Sequence, residues 1–190
     1  MKSNNTYIFL RHGETVKDPN TPAINWGLTD ETQEALNKLA AESAFDTIEV
    51  IYSSNEHKAI KSAEPFAKKL GISIQQQDGL EEVHRGEAYL SDEEFKALKQ
   101  TKLEDRDSNP DGGESSNTAL KRFIAAMEEI DRNHENETIL ISSHGTILAL
   151  YFCHVAGDFT NIFDYWGNIP FCGVGIIKND EVIQHISENH

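Results

Sequence analysis

The residues from Tyr7 to Thr15 read YIFLRHGET, an apolar, β-prone run that ends abruptly on Arg11, His12 and Gly13. A buried strand of an open α/β sheet has this pattern, and ligands bind such sheets beyond the carboxyl ends of the strands. A guanidinium there can bind phosphate through two parallel hydrogen bonds, and an imidazole can act as a nucleophile or a proton carrier. The stretch therefore predicts an α/β sheet with an anion site at its edge.

A second stretch of the same design lies nearer the other end of the chain. Residues 138–146 read TILISSHGT, an apolar run that stops at small residues and His144. A hydrophobic core needs apolar side chains, yet His12 and His144 both stand where the apolar pattern ends. Core packing does not explain two strands that each carry a His-Gly pair at the tip. We therefore expect both histidines to belong to one functional site.

Strands alternate with helical patterns along the chain, which is typical of βαβ units around a mainly parallel sheet. Shorter strands are expected at 50–52 and 72–74, and helices from about Thr29 and over about 56–70, 92–99, 117–133 and 147–156. Residues 173–178 and 182–186 read as a β-hairpin that turns at Asn179-Asp180. These patterns predict a three-layer α/β/α fold with a mainly parallel central sheet and a C-terminal β-hairpin.

The segment from about 79 to 117 breaks this alternation. It is polar and charged, carries Pro110 and the pair Gly112-Gly113, and contains only one short helical pattern. A stretch of this length without regular structure in a compact domain is usually functional or disordered. We expect a single domain over residues 1–190, in which this segment forms a small cap over the anion site.

Several motifs resemble those of a known family. RHGET at residues 11–15 resembles the signature of the histidine phosphatase superfamily, also called phosphoglycerate mutase-like, and Ser143-His144-Gly145 resembles the motif of its second catalytic histidine. Between them, in family order, are segments similar to the SSxxxRAxxTA, LxE and GES motifs: Tyr52-Ser53-Ser54 with Lys58-Ala59 and Ser62-Ala63-Glu64, Leu80-Glu81-Glu82, and Gly113-Glu114-Ser115. The resemblance extends from about Tyr7 to Gly157.

This resemblance implies a role for each matching residue. His12 would be the nucleophile that accepts the phosphoryl group, and Arg11 would bind that group. His144 would contribute a hydrogen bond or a positive charge to the phosphoryl oxygens. Glu82 matches the family's general acid, whereas Glu81 beside it reads as a solvated loop carboxylate.

Several positions depart from the family pattern. Lys58 stands where a second phosphate-binding arginine is usual, and it keeps the charge but loses the bidentate geometry. Arg85 in the cap is a candidate for the missing guanidinium, and a solvated surface charge is the alternative. Asp18 replaces an asparagine, so we expect that its side chain faces away from the phosphate or that its loop differs. Thr32 replaces a helix glycine, which we interpret as a packing difference.

The resemblance implies a phosphomonoesterase that acts on a small phosphorylated metabolite through a phosphohistidine. Fixed side-chain cations can neutralise the phosphoryl oxygens, so no metal and no cofactor are expected. Mutase-type transfer is one alternative, but residues 87–111 hold a single arginine, Arg106, and this scarcity favours hydrolysis. A non-catalytic phosphate-binding member is another alternative. A nucleotide-binding α/β enzyme is disfavoured because the sequence has no P-loop or GxGxxG motif.

Composition limits the partners and the compartment. The chain has 17 basic and 32 acidic residues, a formal net charge of −15 that disfavours nucleic acid and anionic membranes. No apolar run approaches the roughly 20 residues of a membrane helix, and the polar N-terminal residues do not predict a secretion signal. Cys153 and Cys172 lack metal-ligand spacing and read as reduced thiols, so we expect a cytoplasmic protein. The oligomeric state stays open, although Phe163, Trp166 and Phe171 read as core.

Overall fold

The computed structural model describes residues 3–18, 21–86 and 90–187, so part of the expected cap, residues 87–89, lies outside the described residues. Within these ranges, a six-stranded sheet has the order β3-β2-β4-β1-β5-β6. The strands are β1 (Thr6–Arg11), β2 (Val50–Ser53), β3 (Ile74–Gln76), β4 (Thr138–Ser143), β5 (Val174–Lys178) and β6 (Glu181–Ser187). Strands β1 to β4 pair in parallel, whereas β5 runs antiparallel to β1 and to β6. The predicted mainly parallel sheet with a C-terminal hairpin is confirmed.

The α-helices follow the predicted segments closely, with one addition. They are α1 (Asp30–Ala41), α2 (His57–Leu70), α3 (Asp92–Glu104), α4 (Ser116–Asn133), α5 (Gly145–Ala156) and α6 (Ile162–Asn168). Helix α3 is longer than expected, and the short α6 was not expected, because its sequence IFDYWGN shows no helical periodicity. Within the described ranges, none of these helices has the length and apolar character required to traverse a bilayer.

Strand β1 shows why the sheet is covered on both faces. Tyr7 and Phe9 belong to one hydrophobic cluster with residues of α4 and α5, whereas Ile8 and Leu10 belong to a second cluster with residues of α1 and α2. Successive side chains of a strand point to opposite faces, so a strand that is apolar at every position needs helices on both sides. The predicted three-layer α/β/α architecture follows from this pattern.

Local backbone signals set several element boundaries. Gly71 ends α2 at φ 69°, in the left-handed region that favours glycine. The next amide, Ile72 N, donates to Ala67 O at 3.1 Å and closes the helix, so β3 begins at Ile74, two residues later than predicted. The hairpin turns at Asn179-Asp180, with φ of 54° and 60°, as expected for a tight turn that matches the twist of the strands.

A buried ion pair organises the segment 79–117. Lys102 on α3 is 2% exposed, and its Nζ donates to Asp111 Oδ1 at 2.8 Å. Asp111 Oδ2 also accepts a hydrogen bond from Gly86 N at 3.0 Å. Glycine is required at that position, because a Cβ on Gly86 would lie 2.1 Å from Asp111 O. The pair therefore ties α3 to the chain on both sides of it.

Arg122 on α4 holds the loop formed by residues 79–82. Its guanidinium donates to three backbone carbonyl oxygens of that loop, at 2.8, 3.2 and 3.2 Å. It also forms a two-point ion pair with Glu114, with N···O distances of 3.1 and 2.8 Å. The carboxylate of Glu81 lies 3.2 Å from Arg122 as well, so the expectation that Glu81 is a solvated loop residue is wrong. Nothing local in the sequence marks Arg122 for this role.

We expect Arg122→Lys to lower the free energy of unfolding by about 1–3 kcal/mol, because lysine cannot bond three carbonyls and a carboxylate at once. Urea denaturation measures the change. The matched control is Lys121→Gln, an exposed neighbour on the same helix, which should change stability by no more than about 0.5 kcal/mol. Equal effects of the two substitutions would contradict the proposed role of Arg122 in holding the loop at residues 79–82.

Candidate active site

The pairing of β1 with β4 brings His12 and His144 together. Arg11 pairs with Ser143, so each histidine follows directly after the last paired residue of its strand. His12 N donates to Ser143 O at 2.9 Å, and the two imidazole centroids are 5.1 Å apart. Both rings lie beyond the carboxyl ends of parallel strands, where ligands of open α/β sheets bind. The structure thus joins the two histidines that the sequence singled out.

The surroundings of His12 orient its imidazole and keep it in the neutral form that a nucleophile needs. Its Nδ1 lies 2.7 Å from Gly13 O, and because a carbonyl only accepts, Nδ1 must carry the proton. The other nitrogen, Nε2, then has the lone pair. Burial, together with the nearby His144 and Lys58, holds the pKa of His12 well below 6.5. His12 is therefore uncharged at neutral pH, the form in which imidazole can attack phosphorus.

Gly13 fixes the backbone on which His12 stands. Its amide donates to Ser62 Oγ at 3.0 Å, and Ser62 Oγ donates in turn to Lys58 O at 2.7 Å. A Cβ on Gly13 would lie 1.9 Å from Thr32 Cγ2, so only glycine allows this approach. Thr32, the residue that replaces a helix glycine of the family, is therefore packed directly against the His12 loop.

Arg11 is enclosed by the segment that follows α6. Its guanidinium donates to Ile169 O and lies over the ring of Phe171, with Cζ 4.1 Å from the ring centroid. On the other side, a Cβ on Gly145 would lie 2.9 Å from Arg11 Nε, so a glycine is needed there. Phe171 is 43% exposed, and the expectation that it belongs to the core is wrong. Sequence reasoning missed this segment because it contacts Arg11 across almost the whole chain length.

His144 is fully buried and also uncharged at neutral pH. Its Nε2 lies 2.7 Å from Ser54 Oγ and 3.3 Å from Glu56 Oε1. Burial and the charge of Lys58 lower the pKa of His144 to about 3. The sequence left open whether this residue offers a hydrogen bond or a positive charge. A pKa this low favours the hydrogen bond.

Glu56 is a site residue that the sequence did not reveal. Its carboxylate pairs with the ammonium group of Lys58, and both side chains are only 10% exposed. Its Oε1 also accepts a hydrogen bond from Glu82 N at 3.1 Å. Glu56 therefore contacts three other residues of the site: His144, Glu82 and Lys58, the lysine that stands where the family usually has an arginine. A carboxylate just before a helix usually faces solvent, so its sequence position gave no signal.

Glu82 sits against the N-terminus of α5. Its carboxylate accepts hydrogen bonds from Thr146 N at 3.0 Å, Ile147 N at 3.1 Å and Val83 N at 2.8 Å. Burial raises the pKa of Glu82, but the charge of Lys99, the neighbouring His144 and the amide hydrogen bonds outweigh burial and hold it well below its usual value. The carboxyl group is thus ionised in the unliganded protein, so any proton that it donates must reach it during catalysis.

A cavity of about 490 Å³ opens in front of these residues. Its lining includes Arg11, His12 and Lys58, together with Glu82, Arg85, Phe95 and Lys99 of the 79–117 segment. Two cations lie near the ring of Phe95, with Arg85 Cζ at 5.7 Å and Lys99 Nζ at 5.2 Å from its centroid. Arg85 is therefore a cavity residue on the cap side and not a solvated surface charge.

Asp18, a second departure from the family pattern, takes part in its own loop. Its carboxylate accepts a hydrogen bond from Thr21 Oγ1 at 2.7 Å, and its carbonyl accepts one from Trp26 Nε1 at 3.1 Å. Trp26 lines the cavity, whereas Asp18 is not among the lining residues that the structure describes. The acidic side chain is thus directed into the loop.

The polar atoms at this edge of the sheet are incompletely satisfied. In the described part of the chain, the buried side-chain atoms without a hydrogen-bond partner are Arg11 Nε, His144 Nδ1 and Thr146 Oγ1. Arg11 is the last residue of β1, and His144 and Thr146 lie just beyond the end of β4. Unsatisfied buried polar atoms are rare, and a catalytic role is one explanation for them. No group of three or more His, Cys, Asp or Glu side chains among the described residues could hold a metal ion.

Comparison with known proteins identifies the family. The model of the histidine phosphatase superfamily (branch 1) matches residues 7–186. Phosphoserine phosphatase 1 of Hydrogenobacter thermophilus is 22% identical over 173 residues, which cover 84% of this chain and 79% of that protein.

Solved structures share the fold. A mycobacterial glucosyl-3-phosphoglycerate phosphatase with VO3 is 17% identical with a TM-score of 0.80, covering 97% of this chain and 99% of the other. A mutant phosphoserine phosphatase from Entamoeba histolytica, in complex with phosphoserine, is 20% identical with a TM-score of 0.75, covering 95% and 94%. Because the family model spans nearly the whole chain, this protein belongs to the histidine phosphatase superfamily and is a phosphoric monoester hydrolase of that family.

Proposed function

We propose that this protein hydrolyses small phosphate monoesters through a phosphohistidine formed on His12, without a metal ion or a cofactor. The observation that carries the proposal is the neutral His12 imidazole, whose Nδ1 is bound to Gly13 O and whose Nε2 keeps the lone pair. Arg11 and Lys58 supply positive charge in the same cavity. Neutralising the phosphoryl oxygens with fixed cations is the largest contribution that such a site can make.

The proposed reaction has two steps. In the first, His12 Nε2 bonds to phosphorus while the ester P–O bond breaks, and the leaving oxygen takes a proton from Glu82. In the second, water attacks the phosphohistidine, the N–P bond breaks, and Glu82 takes a proton from the water. Arg11 and Lys58 bind the transferred group in both steps. His144 donates a hydrogen bond to it through Nδ1, which requires that Nε2 accepts the hydrogen bond from Ser54 Oγ.

The first step requires a protonated Glu82, although this carboxyl group is ionised in the free protein. A phosphate monoester loses its second proton at about pH 6. We propose that the ester enters as the monoanion and passes its proton to Glu82. The negative charge that the bound phosphate brings raises the pKa of a neighbouring carboxylate, which favours this transfer.

Hydrolysis is favoured over mutase-type transfer by the other contacts of the cap cations. Lys102 is paired with Asp111 at 2.8 Å, and Arg106 lies 4.0 Å from the ring centroid of Phe159. Neither side chain is among the described residues that line the cavity, so they do not help to retain a bisphosphate intermediate. The absence of these two cations from the described lining suits release of the product and entry of water.

We also propose that the protein is cytoplasmic. Cys153 and Cys172 are free thiols, which suits the reducing cytoplasm. The formal net charge of −15 suits a small-molecule ester as the partner rather than nucleic acid or an anionic membrane.

We expect His12→Ala to reduce hydrolysis of p-nitrophenyl phosphate in EDTA by roughly 10³-fold or more, because the nucleophile is lost. Wild-type protein quenched during turnover should carry acid-labile phosphate that the variant lacks. The matched control, His154→Ala, changes an exposed histidine and should keep full activity. Activity that survives in His12→Ala would contradict the mechanism, and phosphate binding without a phosphoenzyme would identify a non-catalytic member.

We expect kcat/KM to fall as the pH rises through the second pKa of the ester, about 6, because only the monoanion brings the proton. Since the pKa of His12 lies well below 6.5, the acidic limb should appear only far below that value. The measurement compares pH profiles of two esters with different second pKa values. The basic limb should move with the ester, and a limb at one fixed pH would assign it to an enzyme group instead.

We expect Arg85→Ala to lower kcat/KM for small phosphate esters by on the order of tenfold, if its guanidinium replaces the arginine that Lys58 does not supply. Steady-state kinetics with p-nitrophenyl phosphate measure the effect, with Lys96→Ala as an exposed cation control from the same segment. Unchanged turnover in Arg85→Ala would remove this residue from the phosphate site.

A further inference from the structure

The cap side of the cavity holds a buried ammonium group that the proposed reaction does not use. Lys99 on α3 is 3% exposed and lines the cavity. Among the described residues, no carboxylate lies within ion-pair distance of its Nζ; the ring centroid of Phe95 is 5.2 Å away, and the charge of Glu82 acts on it from farther off. Burial lowers the pKa of Lys99, as expected for a charge removed from water. An ammonium in this position is costly unless an anion joins it.

The wall of the cavity is partly apolar. Its lining side chains include Ile24, Trp26, Leu90, Phe95, Trp166 and Phe171. Two of them, Ile24 and Phe171, are 47% and 43% exposed, an unusual degree for large apolar side chains. Exposed apolar side chains that share one cleft mark a ligand site. The ring centroids of Phe95 and Trp166 are 6.3 Å apart, so the wall presents aromatic faces to an occupant.

The cations of the cavity differ in what they act on. The charges that act on His12 include Lys58 and Arg11. Lys99 acts on Glu82 instead, and the charge of Glu82 acts in turn on Lys99. Because Glu82 is the proposed proton donor to the leaving oxygen, we expect Lys99 to lie on the leaving-group side of the cavity.

We propose that the natural leaving group has an apolar, flat body that packs on Phe95 and Trp166 and carries one carboxylate that pairs with Lys99. This inference rests on the proposed function and names the substrate class of the same site. The proposed substrate class is narrower than small phosphorylated metabolites, because it requires both an apolar body and a negative charge besides the phosphate.

A single negative charge fits beside Lys99 better than a second phosphate does. Glu82 lines the same cavity, and its charge already acts on Lys99. Asp92 at the start of α3 lies at the cavity with its carboxylate 2.7 Å from the ammonium of Lys17, which it offsets. A dianion would bring two charges to one buried ammonium among carboxylates, whereas a carboxylate brings one.

The test uses two aryl phosphates of similar size and shape, 4-carboxyphenyl phosphate and 4-carbamoylphenyl phosphate, which differ in charge. We expect the wild type to prefer the carboxylate ester in kcat/KM by on the order of tenfold, the effect of one charge-assisted hydrogen bond. Benzene-1,4-diyl bisphosphate is the third substrate, and 3-carboxypropyl phosphate, which lacks an aromatic body, is the fourth. The fourth should have the higher KM when compared with the carboxyphenyl ester.

The variant Lys99→Met keeps the length of the side chain and removes its charge. We expect it to abolish the preference, so that kcat/KM for the two aryl esters becomes equal within about twofold, whatever change both share because the charge acting on Glu82 is lost. Lys96→Met, an exposed lysine one turn earlier on α3, is the matched control and should keep the wild-type preference. Thermal melting verifies that both variants fold. The preference of the wild type among the four esters tests the proposal even without the variants.

The outcomes separate this inference from the proposed function. Turnover of both aryl esters without a preference, or a preference that persists in Lys99→Met, would overturn the carboxylate subsite and leave the phosphatase intact. A Lys99-dependent preference for the bisphosphate would replace the carboxylate by a phosphate and overturn the assignment. An equal KM for the aliphatic ester would overturn the apolar body. No turnover and no phosphohistidine with any ester would overturn the proposed function itself.

Discussion

The parallel pairing of β1 with β4 is the constraint on which the site depends. The register that places Arg11 opposite Ser143 sends His12 and His144 to the same edge of the sheet. It also starts α5 at Gly145, so the first amides of that helix face Glu82 and the glycine leaves room for Arg11. A shift by one residue would turn every side chain of the strand to the other face and separate these groups.

The candidate site for an anion lies in a protein of negative net charge, and its positive charge comes from a few buried side chains. The histidines contribute no charge, because burial lowers the pKa of both. Positive charge comes from Arg11, Lys58 and Lys99, each of which is largely buried and therefore weakly screened by water. Long-range repulsion from the net charge of −15 and short-range attraction in the cavity act at different distances, so the two are compatible.

Sequence patterns predicted what is encoded locally or by periodicity. The apolar runs of β1 and β4 gave the strands and their histidines, and the turn at Asn179-Asp180 gave the hairpin. The register of neighbouring strands was not visible, yet parallel topology alone was enough to place both histidines at one edge. The roles proposed for the matching residues stay predictions, whereas the fold and the family are confirmed.

The residues that sequence reasoning missed act over long separations. Arg122 reaches back about 40 positions to the loop at residues 79–82, and the segment around Phe171 closes on Arg11 from the far end of the chain. Glu56 and Lys99 are charged residues at a helix start and on a mostly exposed helix, positions that ordinarily face solvent. Their burial depends on which elements pack above them, and no pattern in a single sequence records that.

The formal charges of the site also decide which form of the substrate fits. Arg11, Lys58 and Lys99 are positive, Glu56 and Glu82 are negative, and both histidines are neutral, so these groups together carry one positive charge. A dianionic phosphate would leave one uncompensated negative charge in a poorly hydrated place, whereas a monoanion leaves none. The proton of the monoanion is also the proton that Glu82 lacks. Charge balance and proton supply therefore favour the same ionic form of the ester, and the low pKa of Glu82 is compatible with the acid role proposed for it.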